Sequence, residues 1–279
     1  MKESAPSSMP EVMYHWRVSS VRKMLAMQGK AEGPLSVDDL TALGHLDQYH
    51  YLGEQTCHEI VELLQLDESR HVLDIGSGVG GTSRVIAEAS GCRVTAIELQ
   101  QPLNALAEEL TQRVGLTDKI DYVTGSFMDY RGEALFDHFL SLLVFLHIPA
   151  RKLVLQHCHR LLKPGGIFFI EDLVARNPFS ADEQKVLQNK VSAPSVSTSE
   201  AYISDLAQAG FTDLQVTDMS DAWRKWCYQR YHHFVAEENF NRSFFGDEIY
   251  RQRSSFYHTI CELFMQNKLG GLRVTGRKA

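Results

Sequence analysis

The chain has 279 residues, a formal net charge of −7 and a pI of about 5.9. Its hydrophobic fraction of 44% is ordinary for a globular protein and allows a sizeable core. Nothing in this balance indicates the basic face that is typical of nucleic-acid-binding proteins, so composition weakly favours a small-molecule partner over a polyanion.

Cysteine and histidine spacing bears on compartment and on metal binding. The five cysteines form no Cys-x-x-Cys pair, which is typical of a reduced, intracellular protein. The tight histidine pairs, His157-x-His159 and His232-His233, have no second ligand pair at a zinc-like spacing, so we predict no metal site. No secretory leader is visible, and no run reaches the roughly 18 apolar residues of a membrane span. We therefore expect a cytoplasmic protein without a membrane span. The sequence does not indicate an oligomeric state.

The predicted elements begin with a helical extension over residues 1–45. Residues 1–10 are expected to be disordered, and the apolar spacing over 11–28 predicts a helix. A second short helix is expected between Ser36, which would cap its start, and Gly44.

From residue 46 onward, short apolar runs alternate with amphipathic helices. The predicted strands cover residues 71–75, 93–98, 120–124, 136–143, 167–171, 211–218 and 272–276. A predicted helix over residues 54–66 precedes the first strand, and those between the strands cover residues 82–90, 102–114, 150–162 and 199–209. Such alternation predicts an α/β fold with a doubly wound, mostly parallel sheet. We expect seven strands, only the last of them antiparallel, in a core formed by 46–221 and 269–279.

Residues 222–268 depart from this rhythm and predict two long helices rich in aromatic residues. They lie between two predicted strands, so they would form a helical cap inserted before the last strand. Insertions at a sheet edge often carry substrate specificity, and we expect Trp223 and Trp226 to contact substrate. Their rings could hold a cationic group by cation–π attraction. The alternative is that the aromatic residues only pack the helices together.

The most specific signal is the glycine-rich loop after the first core strand, Val72-Leu-Asp-Ile-Gly-Ser-Gly-Val-Gly-Gly81. Glycines let the backbone turn tightly and approach a ligand, and the following helix offers free N–H groups. Gly76-x-Gly78-x-x-Gly81 also fits a dinucleotide-binding fingerprint. Asp74 argues against that interpretation, because a carboxylate there opposes incoming phosphates but suits an ammonium and a sulfonium. A purely structural turn is the third interpretation.

Asp74-x-Gly76-x-Gly78-x-Gly80 is similar to the first motif of class I S-adenosylmethionine-dependent methyltransferases. The next strand ends in Glu98, matching the acid that accepts both ribose hydroxyls in this family. The resemblance implies a Rossmann-like fold and S-adenosylmethionine as the cofactor.

Three later segments follow in the family's order: Gly125-Ser126-Phe127, residues 136–149 and residues 161–166. Family members often carry an acid at the position of Ser126 to contact the adenine amino group, and Phe127 would pack on the adenine face. The cofactor-binding residues that the resemblance implies are Asp74, Gly76, Ser77, Gly78, Gly80, Glu98, Leu99, Ser126, Phe127, Leu142 and His50.

Weaker similarity extends to the small-molecule group of phosphoethanolamine, sarcosine/dimethylglycine and tocopherol methyltransferases. It rests on residues 72–81, Leu146-His147, Leu162-Lys-Pro and residues 218–223. Phosphoethanolamine enzymes use a tyrosine–histidine pair near the methyl group, and His147 matches their histidine. Their tyrosine lies in an amino-terminal segment that does not align here. We predict His147 and Tyr49 as the catalytic residues.

The acceptor is expected to be a small amine without a phosphate group, methylated on nitrogen. Residues 191–195 lack the arginine that holds phosphate in the relatives. Glu171 and Asp172, at the end of their predicted strand, are expected to bind a cationic substrate together with Tyr51. His147 would either accept the proton of the amine or only order its loop.

Three other functions stay open or are disfavoured at this stage. Methylation on oxygen or carbon would use the same scaffold. A non-catalytic cofactor-binding protein is a further alternative. A nucleic-acid methyltransferase is disfavoured, because residues 142–149 contain no Asn/Asp-Pro-Pro-aromatic motif.

Overall fold

In a computed structural model that describes residues 14–194 and 196–279, the chain folds around one seven-stranded sheet. The strands are β1 His71–Ile75, β2 Arg93–Glu98, β3 Ile120–Thr124, β4 Phe136–Leu142, β5 Leu162–Ala175, β6 Phe211–Asp218 and β7 Leu269–Lys278. Their order is β3-β2-β1-β4-β5-β7-β6, and β7 runs antiparallel to both of its neighbours. The predicted doubly wound mixed sheet with an antiparallel last strand is confirmed.

Helices cover the sheet and its carboxyl edge. In the described ranges they are α1 Trp16–Met27, α2 Val37–Thr41, α3 Glu54–Leu63, α4 Gly81–Ser90, α5 Gln101–Arg113, α6 Arg151–Leu161, α7 Ala181–Val186, α8 Ser199–Gln208, α9 Ser220–Ala236, α10 Glu238–Phe245 and α11 Asp247–Met265. A π-helical turn, Leu187–Val191, continues α7. Sequence patterns did not indicate α7 or this turn. The predictions for residues 1–10 and for the helix start at residue 11 lie outside the described residues.

Strand β5 is longer than predicted, at both ends. The expected break at 163–166 is an irregularity inside the strand, where pairing passes from Leu162 with Phe136 to Ile167 with His138. Beyond residue 171 the strand continues to Ala175, because β7 pairs with it along that stretch. This extension changes which side chains reach the carboxyl edge of the sheet.

The segment predicted as two long helices folds as the three helices α9, α10 and α11. Gly246, with φ 83°, separates α10 from α11 in a conformation that favours glycine. Lys23 of α1 donates to the backbone carbonyls of Ser243 and Phe244, at 3.1 and 2.6 Å. The amino-terminal extension and the cap are therefore in contact, and the division of the chain at residues 45, 221 and 269 stays a prediction. Within the described residues, no helix is long and apolar enough to cross a membrane.

The parallel strands β1, β2 and β4 bring three loops to one edge of the sheet. Asp74 of β1 lies between Ala96 of β2 and Leu140 of β4 in the register. Strand order reverses between β1 and β4, and such a switch point is where ligands bind in open α/β sheets. The fold therefore directs the glycine loop toward the ligand-binding edge.

Candidate active site

A cavity of about 300 Å³ lies at this carboxyl edge. The glycine loop and the ends of β2 and β4 form part of its wall, and residues from α1, α9 and α11 also line it. Ligand pockets commonly span ~300–1,000 Å³, so this cavity is at the compact end of that range. It connects the residues that were predicted to bind the methyl donor, S-adenosylmethionine, with residues of the cap.

Glu98 is fixed beside the glycine loop by backbone donors. Its Oε2 accepts the N–H of Gly78 at 2.9 Å, and its Oε1 accepts the N–H of Gln100 at 2.8 Å. Burial raises the pKa of this carboxyl, and the two backbone donors oppose that rise. Each carboxylate oxygen has a further lone pair, so Glu98 can still accept the two hydroxyls of a ribose.

Asp74 presents a buried carboxyl to the same cavity. Its Oδ2 accepts the hydroxyl of Ser83 at 2.6 Å, and burial raises its pKa to about 7. A ligand ammonium would stabilise the charged form of such a carboxyl and lower its pKa again. The site therefore suits the amino group of an amino-acid ligand.

Arg17 of α1 lies across the glycine loop and was missed by sequence reasoning. Its Nη2 donates to the carbonyls of Leu46 and Asp47 at 3.0 and 3.1 Å, whereas its buried Nε has no partner in the described residues. A Cβ added to Gly78 would stand 3.0 Å from Arg17 Nη1. A guanidinium this close to the loop can bind the carboxylate of the same amino-acid ligand. Glu98, Asp74 and Arg17 thus fit the ribose, ammonium and carboxylate of S-adenosylmethionine.

His147 is paired with Tyr14 inside the cavity. His147 Nδ1 lies 2.9 Å from the carbonyl oxygen of Ser192 and so carries the proton, which leaves Nε2 to accept from the Tyr14 hydroxyl at 3.3 Å. Burial lowers the pKa of His147 and raises that of Tyr14 to about 12, so both groups are neutral near pH 7. We call these two residues the Tyr14–His147 pair.

Tyr49, which was predicted to be the catalytic tyrosine, does not contact His147 in this way. It lines the cavity, meets Tyr14 edge-on at 5.5 Å between ring centroids, and stacks on Phe256 at 6.5 Å. The hydroxyl facing His147 belongs to Tyr14, because the chain entering α1 crosses the carboxyl edge of the sheet. No sequence pattern marked Tyr14.

Most of the predicted cofactor residues lie in the cavity wall. They are Asp74, Gly76, Ser77, Gly78, Glu98, Leu99, Ser126, Phe127, Leu142 and His50. His50 is held by the Tyr51 carbonyl and the Thr82 hydroxyl, and burial lowers its pKa to about 4. Gly80 is different: a Cβ there would collide with the Tyr122 hydroxyl, so its glycine is required by packing rather than by the cavity.

Of the predicted substrate residues, only Tyr51 is placed in the cavity wall. Glu171 pairs with Arg273 at 2.6 Å, and Asp172 accepts the Tyr202 hydroxyl at 3.2 Å. Both carboxyls are fully buried inside the sheet, because β5 continues past them to Ala175. Both lie outside the cavity wall, so the structure does not bring them to the site where we predicted that they bind a cationic substrate.

The two tryptophans also lie outside the cavity wall. Trp223 is fully buried, with its ring 4.7 Å from the Tyr51 ring and against Gly271. Trp226 packs edge-on against His45 at 5.8 Å. The cap instead presents Arg230 of α9 and Phe256 and Ile260 of α11. Sequence analysis did not single out these three residues, because their spacing along the helices is the same as that of residues that pack the core.

Residues 73–170 match the family model described as a methyltransferase domain. A glycine/sarcosine/dimethylglycine N-methyltransferase of Actinopolyspora halophila is 29% identical over 170 residues, which are 60% of this chain and 30% of that protein. A sterol 24-C-methyltransferase of Eremothecium gossypii is 36% identical over 104 residues, 37% of this chain and 28% of that protein. The chain thus spans less than a third of the length of either relative.

A solved structure of Haemonchus contortus phosphoethanolamine N-methyltransferase 2 in complex with S-adenosyl-L-methionine superposes with a TM-score of 0.76. The match covers 92% of this chain and 60% of that one at 16% identity, so it shows the shared fold. The family match includes β1, the glycine loop and Glu98, whose geometry fits the family's methyl donor. Residues 73–170 therefore form a methyltransferase domain, and this match, together with the fold and the site, supports a class I S-adenosylmethionine-dependent methyltransferase.

Proposed function

We propose that the protein transfers a methyl group from S-adenosylmethionine to a nitrogen atom of a compact acceptor. The observation that carries this proposal is the Tyr14–His147 pair in the same cavity as the glycine loop and Glu98. Donor and acceptor would therefore meet in one cavity at the carboxyl edge of the sheet.

S-adenosylmethionine supplies a methyl group that is activated by a positively charged sulfur. The protein's contribution is to hold donor and acceptor in line and to exclude water. Glu98 would bind the ribose, while Asp74 and Arg17 would bind the amino and carboxylate groups.

The Tyr14–His147 pair can prepare the acceptor nitrogen. An amine attacks only in its neutral form, so a proton must leave an ammonium before transfer. His147 is neutral because burial lowers its pKa, and its Nε2 can take that proton through the Tyr14 hydroxyl. The Ser192 carbonyl, which accepts from Nδ1, would stabilise the imidazolium that forms.

Carbon methylation is the second candidate. The sterol relative is named for transfer to carbon, and the acceptor part of the cavity is lined by the aromatic rings of Tyr14, Tyr49, Tyr51 and Phe256. Such rings can stabilise a developing positive charge on a substrate. The atom that gains the methyl group separates the two candidates.

The test is methyl transfer from labelled S-adenosylmethionine to a library of compact metabolites, with the product position assigned by mass spectrometry and NMR. We expect products methylated on nitrogen. The variant Glu98→Ala should lose about 10- to 100-fold in donor affinity, since it removes charge-assisted hydrogen bonds. Transfer exclusively to carbon or oxygen would refute the nitrogen assignment, and donor binding without any turnover would refute the activity.

A further inference from the structure

Arg230 of α9 carries a positive charge into the cavity wall without a partner for it. Its Nε and Nη1 are buried, and neither has a hydrogen-bond partner in the described part of the chain. Buried polar groups are almost always paired, and an unpaired buried charge is especially costly. Such a group in a ligand cavity indicates that the ligand supplies the missing partner.

The immediate surroundings of Arg230 contain aromatic rings rather than acids. Its guanidinium lies 5.2 Å from the Tyr51 ring centroid and 4.5 Å from that of Tyr257. The other titratable groups of the described residues that face it contain no carboxyl; they are Tyr14, His45, Tyr49, Cys227 and Cys261. Burial, and then the charge of Arg230, lowers the pKa of His45. Rings can hold the guanidinium in place by cation–π attraction, but they do not neutralise it.

Arg17 also lines the cavity with an Nε that has no partner in the described residues, but its Nη2 is held by two backbone carbonyls beside the glycine loop. Three further buried arginines are accounted for differently. Arg84 pairs with Asp47 at 2.5 Å, and Arg273 pairs with Glu171 at 2.6 Å. Arg253 also has two buried nitrogens without partners, but it is sandwiched between Trp16 and Phe245, outside the cavity wall. Arg230 thus combines an unpaired guanidinium with access to the ligand.

The carboxylates of the cavity wall do not compensate for this charge. Asp47 is engaged by Arg84, Asp74 by Ser83, and Glu98 by the backbone of the glycine loop. The acceptor part of the cavity is therefore cationic, opposite to the charge expected from the sequence.

We propose that Arg230 binds an oxyanion of the acceptor, which would be a compact molecule that carries both the methylated nitrogen and an acidic group. This inference rests on the proposed function, since it assigns the second half of the same substrate. A carboxylate or a phosphate could supply the oxyanion, because a guanidinium binds both. Arg230 acts in binding and orientation, while the Tyr14–His147 pair acts on the nitrogen.

The kinetic test compares wild type with Arg230→Met on the acceptor that turns over best. The library contains each amino acid beside its uncharged amide, and each phosphorylated amine beside its alcohol. We expect the acidic member of a pair to be preferred, and Arg230→Met to raise its KM by about 10- to 100-fold with a smaller change in kcat. Whichever acid is preferred identifies the oxyanion. Arg224→Met is the matched control, because Arg224 is exposed on the same helix and pairs with Asp221.

A binding test separates failure of this inference from failure of the proposed function. Acetate and inorganic phosphate are titrated, at constant ionic strength, into the full-length protein saturated with S-adenosylhomocysteine. Calorimetry should detect one of these anions in wild type and in Arg224→Met, but not in Arg230→Met. Donor affinity should be unchanged in all three proteins. Equal anion binding by Arg230→Met, or an uncharged best acceptor with unchanged KM in that variant, would overturn the inference.

Discussion

The donor part and the acceptor part of the cavity are built in different ways. The donor part consists of one strand–loop–helix unit with Glu98 from the adjacent strand, to which α1 adds Arg17. The carboxyls of Asp74 and Glu98 are tied by local hydrogen bonds. The acceptor part combines Tyr14, Tyr51, Arg230 and Phe256, which belong to distant stretches of the chain. Local geometry preserves the first part, whereas the packing of α1 against the cap determines the second.

The largest expected effect on binding is in the donor part. Gly78→Arg places a side chain at φ 60° and directly against the Arg17 guanidinium. Overpacking and like-charge repulsion should weaken S-adenosylmethionine binding by about 100-fold or more, as measured by calorimetry. Gly115→Arg is the control, because Gly115 has a similar φ of 75° with nothing within 4 Å. Equal losses in both variants would mean that backbone strain alone explains the effect.

The next variant changes the acceptor part of the cavity and leaves the donor part intact. His147→Ala should lower kcat by about 10²- to 10⁴-fold, the usual range for a general base, with little change in donor affinity. Burial lowers the pKa of His147, so wild-type activity should fall only as the pH drops below 6.5 and the imidazole becomes protonated. The variant should lose this acidic limb of the pH–rate profile. A limb that persists would assign it to another group.

Two conservative variants test which tyrosine hydroxyl acts together with His147. Tyr14→Phe removes the hydroxyl that lies 3.3 Å from Nε2 and should lower kcat by about 10- to 100-fold. Tyr49→Phe keeps the edge-on contact with Tyr14 and should change kcat little. The reverse ranking in steady-state kinetics would restore Tyr49 as the catalytic tyrosine.

The pH dependence of donor affinity depends on Asp74. Burial raises its pKa from 3.8 to about 7, so the free protein binds this proton more tightly than the unfolded chain does, and the carboxyl costs stability as the pH rises through that window. A ligand ammonium requires the charged form, so donor affinity should increase about tenfold between pH 6 and pH 8. Calorimetry on wild type and Asp74→Asn checks this, and an identical pH dependence in both would exclude Asp74.

The smallest kinetic effect is expected for Trp223. Its ring fills the core between the cap and β7, so Trp223→Ala should lower the free energy of unfolding by about 3–5 kcal/mol. The KM of the folded variant for its acceptor should stay near that of wild type. A raised KM without loss of stability would return Trp223 to the acceptor site.

Sequence patterns were sufficient where the chemistry is local. A loop that must approach a ligand needs glycine at positions such as Gly76 and Gly78, which have positive φ. The acid Glu98 directly follows the buried run of β2. The side chains of Glu171 and Asp172 were misplaced for a related reason. Their strand was expected to end with them, and only pairing with β7 extends it to Ala175.

The sequence by itself determined the class of fold, because strands and helices alternate along the chain. It also predicted the glycine loop, Glu98 and His147 as site residues, because each belongs to a short local motif. Only the tertiary structure decided that Tyr14 faces His147, that Trp223 belongs to the core and that Arg230 lines the cavity. Those positions depend on how α1, α9 and α11 pack over the sheet. A helical pattern shows which residues share a face, but it does not show which ligand or element that face meets.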